Sequence, residues 1–394
     1  MTLHIARLDE VCEINPRMPR SISDIDIASF LPMAAVSEDG LISFEEERSV
    51  REVKKGYTYF ERGDILVAKI TPCFENGKAT RTSALTKPFG FGSTEFHVLR
   101  AGKELDPSYL FQLVWNSKFR EVGASNMTGS AGQKRVPADF LKRLEIPLPP
   151  LREQQRIAAI LDKADALRRK RKRAIELLDS LTQSIFLEMF ISGEQKSWPI
   201  ATVESLSVSM RTGPFGSQLL HSEFVEKGIP VLGIDNAVSN EFRWVERRYI
   251  TPRKYEELRR YTVLPRDVLI TIMGTCGRCA VVPDDIPIAI NTKHLCCITL
   301  DAGKCLPEFL QAAFLQHPSI LRQLGVEAKG AVMPGLNMGI IKGLSLPLPP
   351  IEIQVEFARS VRRLGIQRSS GIEAHSSADS LFSSLQLRAF SGQL

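Results

Sequence analysis

No apolar run in these 394 residues approaches the ~20 that a membrane-spanning helix needs. The opening Met1-Thr2-Leu3-His4 does not have the form of a secretory signal. The chain is therefore expected in the cytoplasm, with no membrane partner. Catalytic motifs are missing as well. There is no Gly-x-x-x-x-Gly-Lys-Ser/Thr loop to cradle phosphate and no Asn-Pro-Pro-Tyr or Asp-Pro-Pro-Tyr to hold a flipped adenine. Phe89-Gly90-Phe91-Gly92 precedes no cofactor-binding βα unit. Pro283-Asp284-Asp285 opens like a nuclease site, but the segment ending Asn291-Thr292-Lys293 lacks the second carboxylate of a metal clamp. No catalytic residue is assigned, and no cofactor is expected on this chain.

The seven cysteines are odd in number and scattered, which fits reduced thiols and not a disulfide framework. Cys276-Gly277-Arg278-Cys279 followed by Cys296-Cys297 is the best candidate for zinc, since four thiolates suit a structural site. Adjacent strand residues point to opposite faces, however, which argues against the second pair converging on one ion. Cys279 and one of that pair read better as small core residues, and no metal is assigned.

What is present is a repeat. Pro147-Leu148-Pro149-Pro150 at position 147 returns as Pro347-Leu348-Pro349-Pro350 at position 347, an offset of 200 residues. The same offset takes Leu144 to Leu344, Gln154 to Gln354, Asp179-Ser180-Leu181 to Asp379-Ser380-Leu381 and Phe190 to Phe390. Prolines fix φ and remove amide donors, so each motif is a stiff connector that ends where a helix can begin. Ile160, Ala164, Leu167, Arg171, Ala174, Leu178, Leu181 and Ile185 then alternate four and three apart, the seam of a helix packed on a helix. Phe357, Val361, Leu364, Ala374, Ala378, Leu381 and Leu385 supply its partner, with Gln367 and Gly371 as looser positions. About 40 residues of helix reach roughly 60 Å, too far for one small domain to cover.

The two blocks ahead of these helices follow one order. Residues 8 to 14 read as a helix or strand, residues 63 to 70 as a turn and apolar strand, residues 93 to 99 as a strand, and residues 107 to 122 as a helix. Residues 123 to 137 read as an exposed Gly- and Ser-rich loop. In the second block, residues 266 to 271, 291 to 295, 307 to 324 and 328 to 333 retell that order. Their loop chemistry differs: Gly274-Thr275-Cys276-Gly277-Arg278 stands where Asn76-Gly77-Lys78 stood. One scaffold presenting two recognition surfaces is the expectation. The formal net charge of +6 permits a polyanionic partner. Its densest run, Arg168-Arg169-Lys170-Arg171-Lys172-Arg173, is either a solvated helix surface or a contact for DNA phosphates or acidic partner helices.

With both motif copies and both blocks in view, the chain resembles the specificity (S) subunits of Type I restriction-modification systems over essentially its whole length. The resemblance implies an α/β (α+β) fold with a pseudo-two-fold internal repeat. Two similar target-recognition domains, residues 1–146 and 197–346, would be separated by two long antiparallel spacer helices, residues 147–196 and 347–394, forming a coiled coil. It implies a non-catalytic DNA-binding subunit that recognises a bipartite, asymmetric double-stranded site. Two methyltransferase (modification) subunits and restriction/translocase subunits would dock on it, those partners using S-adenosylmethionine, ATP and Mg²⁺. Gly365 and Gly371 and a lower charge set the second helix apart from the family's pattern. The rival expectations are a methyltransferase or nuclease fragment with an unfamiliar site, and a coiled-coil scaffold that only assembles other proteins.

Lys and Arg would supply phosphate affinity, while polar loop residues reach base edges. The candidates in the first block are Lys69, Asn76, Lys78, Ser130, Gln133, Lys134 and Arg135. In the second they are Arg211, Gln218, Arg278, Lys293, His294, Lys329 and Asn337. Docking and pairing along the helices is expected at Ile160, Ala164, Leu167, Leu178, Leu181, Ile185, Phe357, Val361, Leu364, Leu381 and Leu385.

Overall fold

The computed structural model describes residues 4–130, 132–192, 198–245, 248–326 and 335–394. The chain divides into two compact units. Unit 1 comprises residues 1–172 and 373–394, and unit 2 residues 173–372. The long helices Leu151–Phe190 and Ile351–Phe390 each contribute one half to each unit.

In unit 1 a four-stranded antiparallel sheet has the order Cys12–Ile14, Phe96–Ala101, Ile65–Ala68, Ala79–Arg81. A second sheet runs Glu46–Ser49, Ile27–Leu31, Phe89–Gly92, Thr58–Glu61, its middle pair parallel. Unit 2 repeats both. Its first sheet is ordered Ser207–Thr212, Leu295–Leu300, Val268–Thr271, Cys279–Val281. Its second is Tyr249–Ile250, Ile229–Leu232, Ala289–Asn291, Thr262–Val263, again with a parallel middle pair. The repeat is thus one of topology as well as sequence. The parallel pairs have no counterpart in the elements expected from the sequence. The structure needs Gly90, since a Cβ there would lie 2.5 Å from the Ser29 carbonyl oxygen and from the Phe60 ring.

Local chemistry sets the element ends. The segment from residue 8 is a helix and then a strand, Leu8–Val11 and Cys12–Ile14. The helical stretch after residue 107 is two helices, Pro107–Trp115 and Ser117–Ser125. Asn116 ends the first, and its side-chain oxygen caps the second by accepting from Phe119 N at 2.8 Å. In unit 2 Pro318 makes the same break, giving Pro307–Gln316 and Pro318–Gln323.

Each block is tied to its long helix by the same device. Gln154 is fully buried; its amide donates to the carbonyls of Glu104 and Pro149, both at 2.8 Å, and its oxygen accepts from Asp106 N at 2.8 Å. Gln354 repeats this with Lys304 O at 3.0 Å, Pro349 O at 2.9 Å and Leu306 N at 2.9 Å. Strands Ile5–Arg7 and Glu145–Pro147 pair at the mouth of the first block, as Ile200–Thr202 and Ser345–Pro347 do at the second.

Within each unit the helix halves run antiparallel. In unit 1 Arg156 Nη2 meets the carbonyl of Leu394 at 2.8 Å and Arg171 Nη1 that of Ala374 at 2.5 Å. In unit 2 Phe186 packs on Phe357 and Arg368 pairs with Asp179 at 2.5 Å. The inward faces differ in part from the expected seam. Ala164, Leu178, Ile185, Val361, Leu364 and Leu385 are partly buried and Phe357 is fully buried, while Ile160 is half-buried. Leu167, Leu181 and Leu381 are exposed at 46%, 44% and 55%, and their neighbours Arg168, Thr182 and Phe382 turn inward instead. The cause lies in the blocks. Each half-helix packs on aromatic side chains of its block as well as on the other helix, so the buried stripe is wider and shifted by a residue relative to a two-helix seam.

Candidate nucleic-acid interface

In unit 1 the strand Ile65–Ala68 runs out into the loop that carries Lys69, Asn76 and Lys78. A second segment lies along it: Thr71 N donates to Lys134 O at 3.0 Å, and Val136 N to Lys69 O at 2.9 Å. Thr128 and Arg135 exchange both backbone hydrogen bonds, at 3.0 and 2.8 Å, which brings the two ends of this segment together. Gly123 lets helix Ser117–Ser125 close on this loop, because a Cβ there would reach 2.3 Å from the Phe74 ring. All seven first-block candidates therefore lie on two adjoining segments.

Their engagement differs. Arg135 is ion-paired to Glu95 at 2.9 Å, and this hydrogen bond, with the charge of Arg135, holds the Glu95 carboxyl below its usual range. Asn76 donates to Glu38 at 2.8 Å and Lys78 to the Met33 carbonyl at 3.3 Å. Ser130, Gln133 and Lys134 are exposed, and their side chains have no partner among the described residues. They are the groups free to meet a ligand. Below them His97 is buried, with Nε2 donating to Val136 O at 2.8 Å and Nδ1 accepting from Asn15 at 3.2 Å. Burial first, and Lys69 to a lesser degree, depress its pKa and keep it neutral.

In unit 2 the loop after Val268–Thr271 is pinned from within: Thr271 Oγ1 accepts from Arg278 N at 2.9 Å and donates to Thr275 O at 2.5 Å. Ile272 N donates to His294 O at 2.9 Å, which sets this loop beside the turn bearing Lys293 and His294. The Arg278 side chain is exposed and has no partner among the described residues. Burial, Lys293 and Arg248 lower the pKa of His294 and favour its neutral form. Arg248 and Asp235, 3.5 Å apart, belong to the same group of side chains. Neither was legible in the sequence; the only signal was the turn-forming Gly233-Ile234-Asp235-Asn236 run.

Other second-block candidates have different surroundings. Arg211 lies in the strand Ser207–Thr212, not in a loop. It binds buried Asp267 at 2.5 Å, the Thr262 carbonyl at 2.6 Å and Thr299 at 2.9 Å, so its donors face inward. Asn337 caps helix Met338–Gly343 by accepting from Ile340 N at 2.9 Å. Gln218 is exposed and accepts from the Tyr261 hydroxyl at 2.8 Å. Lys329 lies outside the described residues, as does the expected 328–333 loop.

The basic run on the first long helix is largely engaged inside unit 1. Arg168 bonds Asp165 at 2.9 Å, Arg169 bonds Asp165 at 3.0 Å and Lys172 bonds Asp39 at 3.2 Å. Lys170 and Arg173 are exposed. As for the thiols, Cys279 and Cys296 enter one core while Cys297 enters the other across the sheet. Burial raises their pKa, Cys296 to about 12. No group of three or more His, Cys, Asp or Glu among the described residues is placed to hold a metal ion.

The two copies of one α+β frame thus carry unlike donors on their matching loops. The family model for the Type I restriction modification DNA specificity domain matches residues 3–177 and 222–373, and the chain belongs to that family. It is 47% identical over 153 residues to the EcoAI specificity subunit of Escherichia coli, covering 38% of this chain and 26% of that protein. The EcoEI subunit, also from Escherichia coli, gives 44% over 159 residues, 40% of this chain and again 26% of the relative. These matches span about a quarter of the relatives' length. The MjaVIII specificity subunit of Methanocaldococcus jannaschii is 23% identical over 290 residues, 69% of this chain and 66% of that protein. A solved Type I system S subunit from M. genitalium shares the fold with TM-score 0.60 and 16% identity, over 99% of this chain and 96% of that one.

Proposed function

We propose that this chain is the non-catalytic, sequence-specific DNA-binding subunit of a Type I restriction-modification complex, each block reading one half of a bipartite asymmetric site. The observation that carries this reading is the contrast between one repeated frame and two unlike loop sets. Ser130, Gln133 and Lys134 project from one frame, and Arg278, Lys293 and His294 gather at the equivalent edge of the other. Lysines and arginines there supply phosphate attraction, while Gln133, Arg278 and His294 are chemically suited to base edges. Residues 1–146 and 197–346 act as the reading domains, and residues 147–196 and 347–394 as the spacer.

Modification and restriction subunits, using S-adenosylmethionine, ATP and Mg²⁺, are the proposed catalytic partners. Exposed Leu167, Leu177 and Leu181 on the first long helix and Ile366 and Leu381 on the second offer apolar surface for docking. Competition binding at moderate salt, between a duplex bearing the site mapped by methylation footprinting and its scrambled counterpart, tests the reading. Equal affinity for both duplexes would leave only an assembly scaffold. Turnover by the isolated chain with S-adenosylmethionine or Mg²⁺ would make it an enzyme.

A further inference from the structure

The helices Pro107–Trp115 and Pro307–Gln316 occupy the same place in the two repeats, yet differ where they face the long helices. In unit 1 Phe111 stacks on Trp115 with centroids 5.4 Å apart, and Trp115 lies 6.0 Å from Phe382. The Arg168 guanidinium sits 5.1 Å over Phe382 and 5.7 Å over Trp115. Gly40, at φ 77°, brings a turn against Phe111. Together these groups fill the space between block and helices.

Displaced by the repeat offset of 200, the matching residues of unit 2 are Gln311, Leu315, Thr182, Arg368 and Asn240. Asn240 keeps the left-handed turn, at φ 61°. The three rings are absent at these positions, and a pocket of about 660 Å³, about half open to solvent, lies here, with Phe242 and Phe357 also on its wall. Arg368 is held within it by Asp179 at 2.5 Å and Glu241 at 2.7 Å. Ligand pockets run to about 300–1,000 Å³, and this one falls in that range. The surrounding frame has not collapsed: the Gln354 hydrogen bonds and the packing of Phe186 on Phe357 are in place on either side.

We propose that this cavity is a binding site for a planar aromatic group of about the size of indole. The other half of the chain shows what the frame accommodates, namely flat rings bordered by arginine, an arrangement favoured by ring stacking and cation–π attraction. Unit 1 supplies those rings itself; unit 2, with Phe242 and Phe357 already on the pocket wall, takes a further ring from outside. Gln311, fixed by its donation to Asn240 O at 2.7 Å and Cys279 O at 2.9 Å, forms one polar wall. The carboxylates of Asp179 and Glu241 offer acceptors to a ring N–H. The group has two possible sources, a free heteroaromatic molecule or a tryptophan side chain on a partner protein.

The experiment titrates 5-fluoroindole into the full chain by ¹⁹F NMR, beside a refilled variant, Thr182→Phe/Gln311→Phe/Leu315→Trp. Saturable binding to the native chain, weakened about tenfold or more in the refilled variant, is the expected result. Leu315→Trp alone should weaken it in the same direction and decides the matter if the triple variant does not fold. Loss of co-purification with the modification subunit in the refilled variant assigns the group to that partner; retention assigns a free small molecule. No saturable binding to the native chain, or equal affinity in native and Leu315→Trp chains, overturns the proposal. The assay contains no DNA, so its failure and that of the DNA-reading role are separate results.

Discussion

His97 and the paired glutamines show how single residues govern the blocks. The His97 ring donates through Nε2 and accepts through Nδ1, so it is held as one neutral tautomer between Val136 and Asn15, with Lys69 and Glu95 the charged groups around it. Its folded pKa is depressed, so the unfolded chain binds the proton more readily. The associated stability is present above the ordinary histidine pKa and is lost as pH falls through the lower folded value. Urea midpoints should therefore drop from pH 7.5 to pH 5.5, and His97→Gln should reduce that drop. Burial depresses His317 in the same sense, so the slope in the single variant should be smaller but not zero. Gln154→Ala and Gln354→Ala should each destabilise by about 2–4 kcal/mol in urea titrations, since buried backbone donors and acceptors lose their partner. These roles were only half legible. The offset of 200 marked both glutamines as a pair, but sequence carries no sign of which carbonyls they reach. The setting of Arg211 was hidden for a related reason: a strand arginine and a loop arginine look alike until the buried Asp267 beside it is seen.

At the scale of elements, the strands before each helix and the long helices themselves were readable from apolar runs and heptads. The inward face was not. Heptad spacing weighs only helix against helix, whereas Phe186 and Phe382 answer to the aromatic side chains Phe309 and Trp115 of their blocks. Phe186→Ala should accordingly cost about 3–5 kcal/mol in thermal or urea unfolding, while Leu181→Glu should change stability by no more than about 0.5 kcal/mol. A large loss in the second variant would show that the outward face is structural and not a docking surface. The short parallel pair Ile27–Leu31 with Phe89–Gly92 escaped the sequence reading because its glycines are demanded by neighbours distant in sequence.

For the molecule as a whole, the duplication was the most legible feature, because a fixed offset needs no structure to verify. The loops that distinguish the copies were legible as loops but not as surfaces, since the pairing of residues 128 to 135 and the approach of His294 to Ile272 depend on sheet register. Under the proposed role, replacing residues 123 to 136 with the loop of another family member should change the bases methylated in one half of the site only. Genome-wide methylation mapping with the cognate modification subunit reads this. A simultaneous change in both halves would defeat the assignment of one half to each block.

The strand pairs at each block's mouth carry one more consequence. Ile5 lies opposite Pro147, and Ile200 opposite Pro347, so each block starts and finishes at the same doorway. The two ends of each block therefore meet beside the proline-rich connector from which the long helix starts. Under the proposed role, a block exchanged at its two seams should carry its half-site with it, provided that it keeps the contacts to the long helices made here through Gln154 and Trp115 or through Gln354 and Phe309.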